Sequence, residues 1–160
     1  MIKIDEFDQA ILRQLQLDGK ISVQDLATKT NMSASPCWRR VRRMETEGTI
    51  DRYVAVLNPR NLGLQALAHV HVSLMDHTEQ TIATFDNFVQ TQDQIVECSS
   101  ITGDNDYVLK VVAEDPEALE SFIMKSILRL GIVRSSMTNF VLRRTKETTA
   151  LPVRLQLPDR

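Results

Sequence analysis

A chain of 160 residues has room for one ordinary domain or two small ones. Hydrophobic residues make up 42% and charged residues 25%, a soluble globular composition, and no run approaches the length of a membrane span. The formal net charge of -2 excludes a generally cationic protein that would coat any polyanion. The charge is unevenly spread, however. Between Leu26 and Met44 five basic residues (Lys29, Arg39, Arg40, Arg42, Arg43) occur with no acidic one. Residues 1–58 carry nine Lys/Arg against eight Asp/Glu, whereas residues 59–160 carry ten against thirteen. A basic patch confined to one stretch of a weakly acidic chain is a local electrostatic footprint. Cys37 and Cys98 stand far apart with no CxxC neighbour, and the opening MIKIDEFDQ lacks the apolar core of a signal peptide. The expectation is a cytoplasmic chain with buried thiols, a disulfide being the alternative.

In chain order, Asp5 is a good N-cap, with Glu6 and Asp8 in the first turn where the helix dipole favours acids. Phe7, Ala10, Ile11 and Leu15 recur at helical spacing up to a stop at Gly19. Ser22-Val23-Gln24-Asp25 opens a second, short helix with Val23, Leu26 and Ala27 as its apolar stripe. After the break Asn31-Met32-Ser33, a third helix begins, in which Pro36 is tolerated because its missing N–H falls in the first turn. Gly48 ends it. Three helices in under fifty residues, the last two tightly joined, match a helix-turn-helix. From Ile50 to Leu57 the period changes to two, as a strand or an extended linker, closed by Asn58-Pro59.

The remainder predicts a strand at 65–75, a helix at 78–91, strands at 95–102 and 107–113, a helix at 116–130 and a strand at 132–143. The order βαββαβ is the ferredoxin-like arrangement. The expected fold is α+β: a three-helix, winged-type helix-turn-helix at 1–50, a linker strand and turn at 51–63, and a ferredoxin-like domain for sensing and oligomerisation at 64–160.

On a helical wheel Cys37, Val41 and Met44 share the face that packs on the first two helices. Ser35, Arg39, Arg42 and Arg43 fall opposite, flanked by Trp38 and Arg40. The start of a recognition helix meets base edges and the remainder meets phosphates. Ser35, Trp38 and Arg39 are therefore candidates for base contacts, and Arg42 and Arg43 for phosphate contacts. Arg40 is partly structural. The polar entry from Ser33 to Pro36 offers helix N–H groups to an anion and adds Ser33 to the set. An arginine-rich helix face alone is more often a solvated surface; the tight helix spacing and the acid-free window favour double-stranded DNA.

The run Met32-Ser33-Ala34-Ser35-Pro36-Cys37-Trp38-Arg39-Arg40-Val41-Arg42-Arg43-Met44-Glu45, followed by Gly48 and Ile50, resembles the recognition-helix signature of the Lrp/AsnC (leucine-responsive, feast/famine) family. Ile4-Asp5, Asp8, Ile11-Leu12, Leu57-Asn58-Pro59 and Gly103-Asp104-Asn105-Asp106-Tyr107-Val108-Leu109 fit in the same order, and Trp38 stands where members vary. The residues of Thr102–Tyr107 by themselves read as an acidic hairpin turn. The resemblance implies more: a domain that dimerises through its sheet, dimers that assemble further, to an octamer, and an amino-acid effector bound between dimers near this turn. It places Thr102, Gly103, Asp104 and Asp106 in that site, with Ser136 and Thr138 as weaker candidates for the opposing wall. It implies an effector-modulated transcriptional regulator. No cofactor is expected beyond the effector.

Other groupings carry less. His69 and His71 share one strand face near His77, but no Cys or carboxylate set completes a metal site. No Ser/His/Asp grouping, P-loop or Rossmann fingerprint occurs, so no enzyme is expected. Two readings of other classes stay open: a small-molecule enzyme that keeps the bundle for oligomerisation, and an architectural DNA binder without an effector. The tail from Thr148 to Val153 either swaps between subunits or stays loose.

Overall fold

In the computed structural model, which describes residues 4–154, the chain divides into two units. Among the described residues, one comprises 4–56 together with 146–154; the other is Leu57–Thr145. The division falls inside the expected linker, and the tail that the sequence reading gave to the second domain groups with the first unit.

The first unit holds α1 (Glu6–Leu17), α2 (Val23–Lys29) and α3 (Ala34–Thr46). α1 starts in a reciprocal capping box: the Asp8 N–H donates to the Asp5 side chain (2.9 Å) and the Asp5 N–H to the Asp8 side chain (3.2 Å). The helix stops at Asp18, one residue before the expected Gly19. Ser22 caps α2 by accepting from the Asp25 N–H. The turn into α3 passes through Asn31 at φ 52, a left-handed conformation that asparagine tolerates better than most residues. Ile11, Leu12, Leu26, Ala27, Cys37, Val41 and Met44 are buried together, so the predicted face of α3 is the packed one. Burying one such side chain contributes about 1.5–3 kcal/mol, which ties each helix to the other two.

The wing expected after α3 is chain without regular secondary structure at 51–58, with no ladder partner among the described residues. Tyr53 holds its start, its hydroxyl donating to Glu45 of α3 at 3.1 Å. Burial, followed by the neighbouring Glu45 carboxylate, pushes the Tyr53 phenol up to about 12.

The second unit opens with a capped turn at Pro59–Leu62 and then follows the predicted order: β1 (Ala66–Leu74), α4 (Glu79–Gln90), β2 (Ile95–Ser100), β3 (Tyr107–Ala113), α5 (Pro116–Phe122) and β4 (Val133–Phe140). The strand order is β2-β3-β1-β4, antiparallel throughout, which is the ferredoxin-like sheet. The helix expected to run to 130 is α-helical only to Phe122 and continues as a wide turn at Ile123–Ile127 and a tight one at Leu128–Leu130. Ala68, Val70, Val72 and Leu74 alternate along β1 onto the helix-covered face, where they meet Phe85 and Val89 of α4 and Leu119 and Phe122 of α5. Pairing of Val72 with Tyr107 on β3 and with Ser136 on β4 sets the register at the end of the sheet that carries the 102–106 turn.

Candidate nucleic-acid interface and sensor turn

The seven residues proposed for DNA contact lie on or immediately before α3, and the fold treats them differently. Ser33, Ser35, Trp38 and Arg39 are exposed. Ser33 adopts the extended N-cap backbone, yet its side chain makes no capping bond, so the hydroxyl stays available at the positive end of the helix. Trp38 is 53% exposed, an unusual position for an indole, and Arg42 lies over its ring at 5.9 Å. Arg39 is exposed with no ion-pair partner among the described residues. Arg42 meets Glu45 one turn on at 3.0 Å, with 65% of its side chain exposed. Such surface pairs are worth little.

Arg40 and Arg43 point elsewhere. Arg40 donates to Asp5 (2.6 Å) and Asp8 (2.8 Å) and lies 5.3 Å from the Phe7 ring, while Arg43 donates to Asp8 at 2.5 Å. Asp8 is fully buried, so its charge has to be compensated by these two guanidiniums. For Asp5, desolvation raises the pKa, but the Asp8 N–H and the Arg40 guanidinium outweigh it and the net shift is downward. An acid pair on α1 thus clamps the flank of α3. Arg43 retains 40% of its side-chain surface and can still reach a phosphate, whereas Arg40 is engaged on three sides. The sequence showed Asp5 and Asp8 as helix-start residues only; their second partner, more than thirty positions away, left no local signal.

In the second unit, Thr102, Gly103 and Asp104 are exposed at the tip of the turn between β2 and β3. Gly103 has φ 118, a backbone region closed to most side chains. Asp106 is used inward: its carboxylate accepts the Leu74 N–H at 2.8 Å and meets His77 Nε2 at 2.9 Å. The hydrogen bond from His77, then the backbone bond from Leu74, lowers its pKa. Ser73, 2% exposed, donates toward the Asp104 carbonyl (3.4 Å) and Asn105 Oδ1 (3.3 Å). The turn is therefore stitched to the end of β1, leaving Asp104 as its outward carboxylate. Ser73 and His77, absent from the predicted set, form that seam. Ser136 and Thr138 lie on β4, paired with Val72 and Val70 of β1, so they share the sheet end with the turn without contacting it through any hydrogen bond. Both cysteines are free, Cys37 buried and Cys98 half-buried. No group of three potential metal ligands converges among the described residues, and no helix among them is long and apolar enough to cross a membrane.

A helix-turn-helix with an arginine-bearing second helix, joined to a ferredoxin-like domain, defines a two-domain DNA-binding regulator. Residues 4–45 match the AsnC-type helix-turn-helix domain and residues 67–151 the Lrp/AsnC ligand binding domain. The chain belongs to the Lrp/AsnC family of transcriptional regulators. It is 34% identical to the leucine-responsive regulatory protein of Escherichia coli K12 over 151 residues, which is 94% of this chain and 92% of that one. It superimposes on a transcriptional regulator in complex with L-methionine from Neisseria meningitidis with a TM-score of 0.91, at 30% identity over 94% of this chain and 97% of the other. An AsnC family regulator from Agrobacterium tumefaciens gives 0.87 at 35% identity over 92% and 96%. A feast or famine regulatory protein from M. tuberculosis complexed with L-methionine gives 0.79 at 27% identity over 92% and 98%.

Proposed function

We propose that this regulator reads double-stranded DNA with α3 and that a free amino acid tunes its operator binding through the 102–106 turn. In this reading Ser35, Trp38 and Arg39 address bases, and Ser33, Arg42 and Arg43 address phosphates. Arg40 sets the angle of the helix. The observation that carries the proposal is the exposure of Arg39, without an ion-pair partner among the described residues, in the second turn of a helix whose other face is core. An unpaired guanidinium there loses no intramolecular bond when it docks bidentately on a guanine edge.

For the sensor, an α-ammonium group would pair with Asp104, and an α-carboxylate would take N–H groups of the turn around Gly103. Thr102 flanks this site, Asp106 holds the turn in place, and Ser136 and Thr138 stand toward the opposing wall. L-Methionine in two structurally similar regulators supports an amino acid as ligand. The chain would act in the cytoplasm as a homodimer that assembles further, to an octamer, with no cofactor and no enzymatic activity. An effector alters DNA binding only by its different affinity for two states of the assembly.

The test is an electrophoretic shift assay on operator DNA with and without L-methionine and L-leucine. Arg39→Ala should weaken the specific complex by the roughly 1–3 kcal/mol of one bidentate base contact, and Asp104→Ala should abolish the amino-acid response while sparing the basal complex. Specific binding by Arg39→Ala at parent affinity would refute the α3 assignment. An amino-acid response that survives Asp104→Ala would refute the turn assignment.

A further inference from the structure

The outer face of α1 carries a feature that DNA reading does not use. Gln9 and Gln16 lie seven residues apart, two helical turns, and so project from one side of the helix. Both amides end on the C-terminal segment. Gln9 Nε2 donates to the Val153 carbonyl at 2.7 Å. Gln16 makes two bonds to Leu151: its Nε2 donates to the carbonyl at 3.2 Å and its Oε1 accepts the N–H at 2.6 Å. A glutamine that satisfies both backbone groups of one residue imitates the edge of a β-strand. Leu151 and Val153 are alternate residues, and both of their carbonyls accept from this one side of α1. Pro152, between them, has no N–H to satisfy, and its fixed φ limits the unfolded freedom lost on docking. Val153 packs against the cluster of Ile11, Leu26 and Met44.

We infer that α1 is a peptide-docking surface whose occupant is the chain's own segment Leu151–Val153, held in cis. The DNA-binding unit is then three helices completed by a strap, and it is joined to the sensor unit by two chain crossings, at 57 and at 145. Docking fixes Gln9, the neighbour of Asp8, and Asp8 clamps Arg40 and Arg43 of α3. Loss of the strap loosens the clamp and weakens operator binding. This last step rests on α3 being the DNA-contacting helix; the docking itself does not.

Amide hydrogen exchange on the full-length chain tests the docking. The Leu151 N–H exchanges slowly in the parent and about fivefold to tenfold faster in Gln16→Ala, the factor expected for one net hydrogen bond of about 1 kcal/mol or slightly more. Alanine is the best helix former, so α1 survives the change. Free-peptide exchange of Leu151 in the parent would overturn the inference. Bismaleimide cross-linking of Gln16→Cys/Leu151→Cys, in a Cys98→Ser background, gives a covalent monomer when the strap is in cis; covalent dimers would overturn the cis assignment. In shift assays Gln9→Ala/Gln16→Ala binds operator DNA severalfold more weakly at unchanged assembly size. Parent affinity together with lost Leu151 protection would reject the functional step alone, leaving the docking and the α3 reading to their own tests.

Discussion

Replacing Asp8 isolates the clamp between α1 and α3. Its carboxylate is fully buried, accepts from the Asp5 N–H and faces two guanidiniums, at 2.8 and 2.5 Å. Removing one partner of a buried pair costs about 3–5 kcal/mol when the remaining charge stays dry. Here Arg40 and Arg43 keep 26% and 40% of their side-chain surface, so water takes over part of the lost pairing. Asp8→Ala is expected to cost about 2–3 kcal/mol on that discounted scale, including the capping box. Asp8→Asn keeps an acceptor for the Asp5 N–H and should cost about 1–2 kcal/mol. With a urea m-value of about 2 kcal/mol/M, the alanine variant unfolds at a midpoint lower by roughly 1 M and the asparagine variant by about half that. Far-UV circular dichroism of the full-length protein reads the transition, and a double-mutant cycle with Arg40→Gln assigns the loss to the pair. Superimposable curves for Asp8→Asn and the parent would refute the clamp.

Arg39→Ala, by contrast, should leave the urea midpoint unchanged, because an exposed residue without partners rarely shifts stability by more than about 0.5 kcal/mol. Its specific DNA affinity should fall by the roughly 1–3 kcal/mol of a bidentate base contact, measured against a scrambled duplex. Arg42→Ala should weaken specific and scrambled duplexes alike and reduce the slope of log K against log salt by about 1. Gly103→Ala meets no neighbouring atom, so its whole cost is the backbone at φ 118, about 1–3 kcal/mol, visible in thermal unfolding. Asp106 has its pKa lowered in the folded state, so the folded chain binds fewer protons than the unfolded one in acid. Its contribution is present above the ordinary carboxylate range and is lost as pH falls through the folded value, below about pH 4. Asp106→Asn should flatten that acid limb in unfolding curves taken from pH 6 to pH 3; an unchanged limb would count against the His77–Asp106 seam.

Much of this protein is written in short-range pattern. Cys37, Val41 and Met44 recur at helical spacing, and that period alone decides which side of α3 is packed and which side carries Arg39 and Arg42. Asp5, Ser22 and the Asp115-Pro116 pair mark helix starts because a cap acts within three residues of itself. The alternation along β1 likewise settles which of its side chains face the helices. What lies across the chain is different. Arg43 reads like Arg42 in the sequence, and only folding brings Asp8 beneath it, 35 residues away. Asp106 resembles an open effector carboxylate until His77 and the Leu74 N–H are placed against it. The fate of the tail is the extreme case, since Gln16 and Leu151 are 135 residues apart. Local sequence determined the order of the elements, the phases of α3 and β1 and the basic face, because each depends on neighbours along the chain. Tertiary structure decided which of those charges are paired within the fold and which stay exposed, because pairing between distant side chains exists only once the helices have packed.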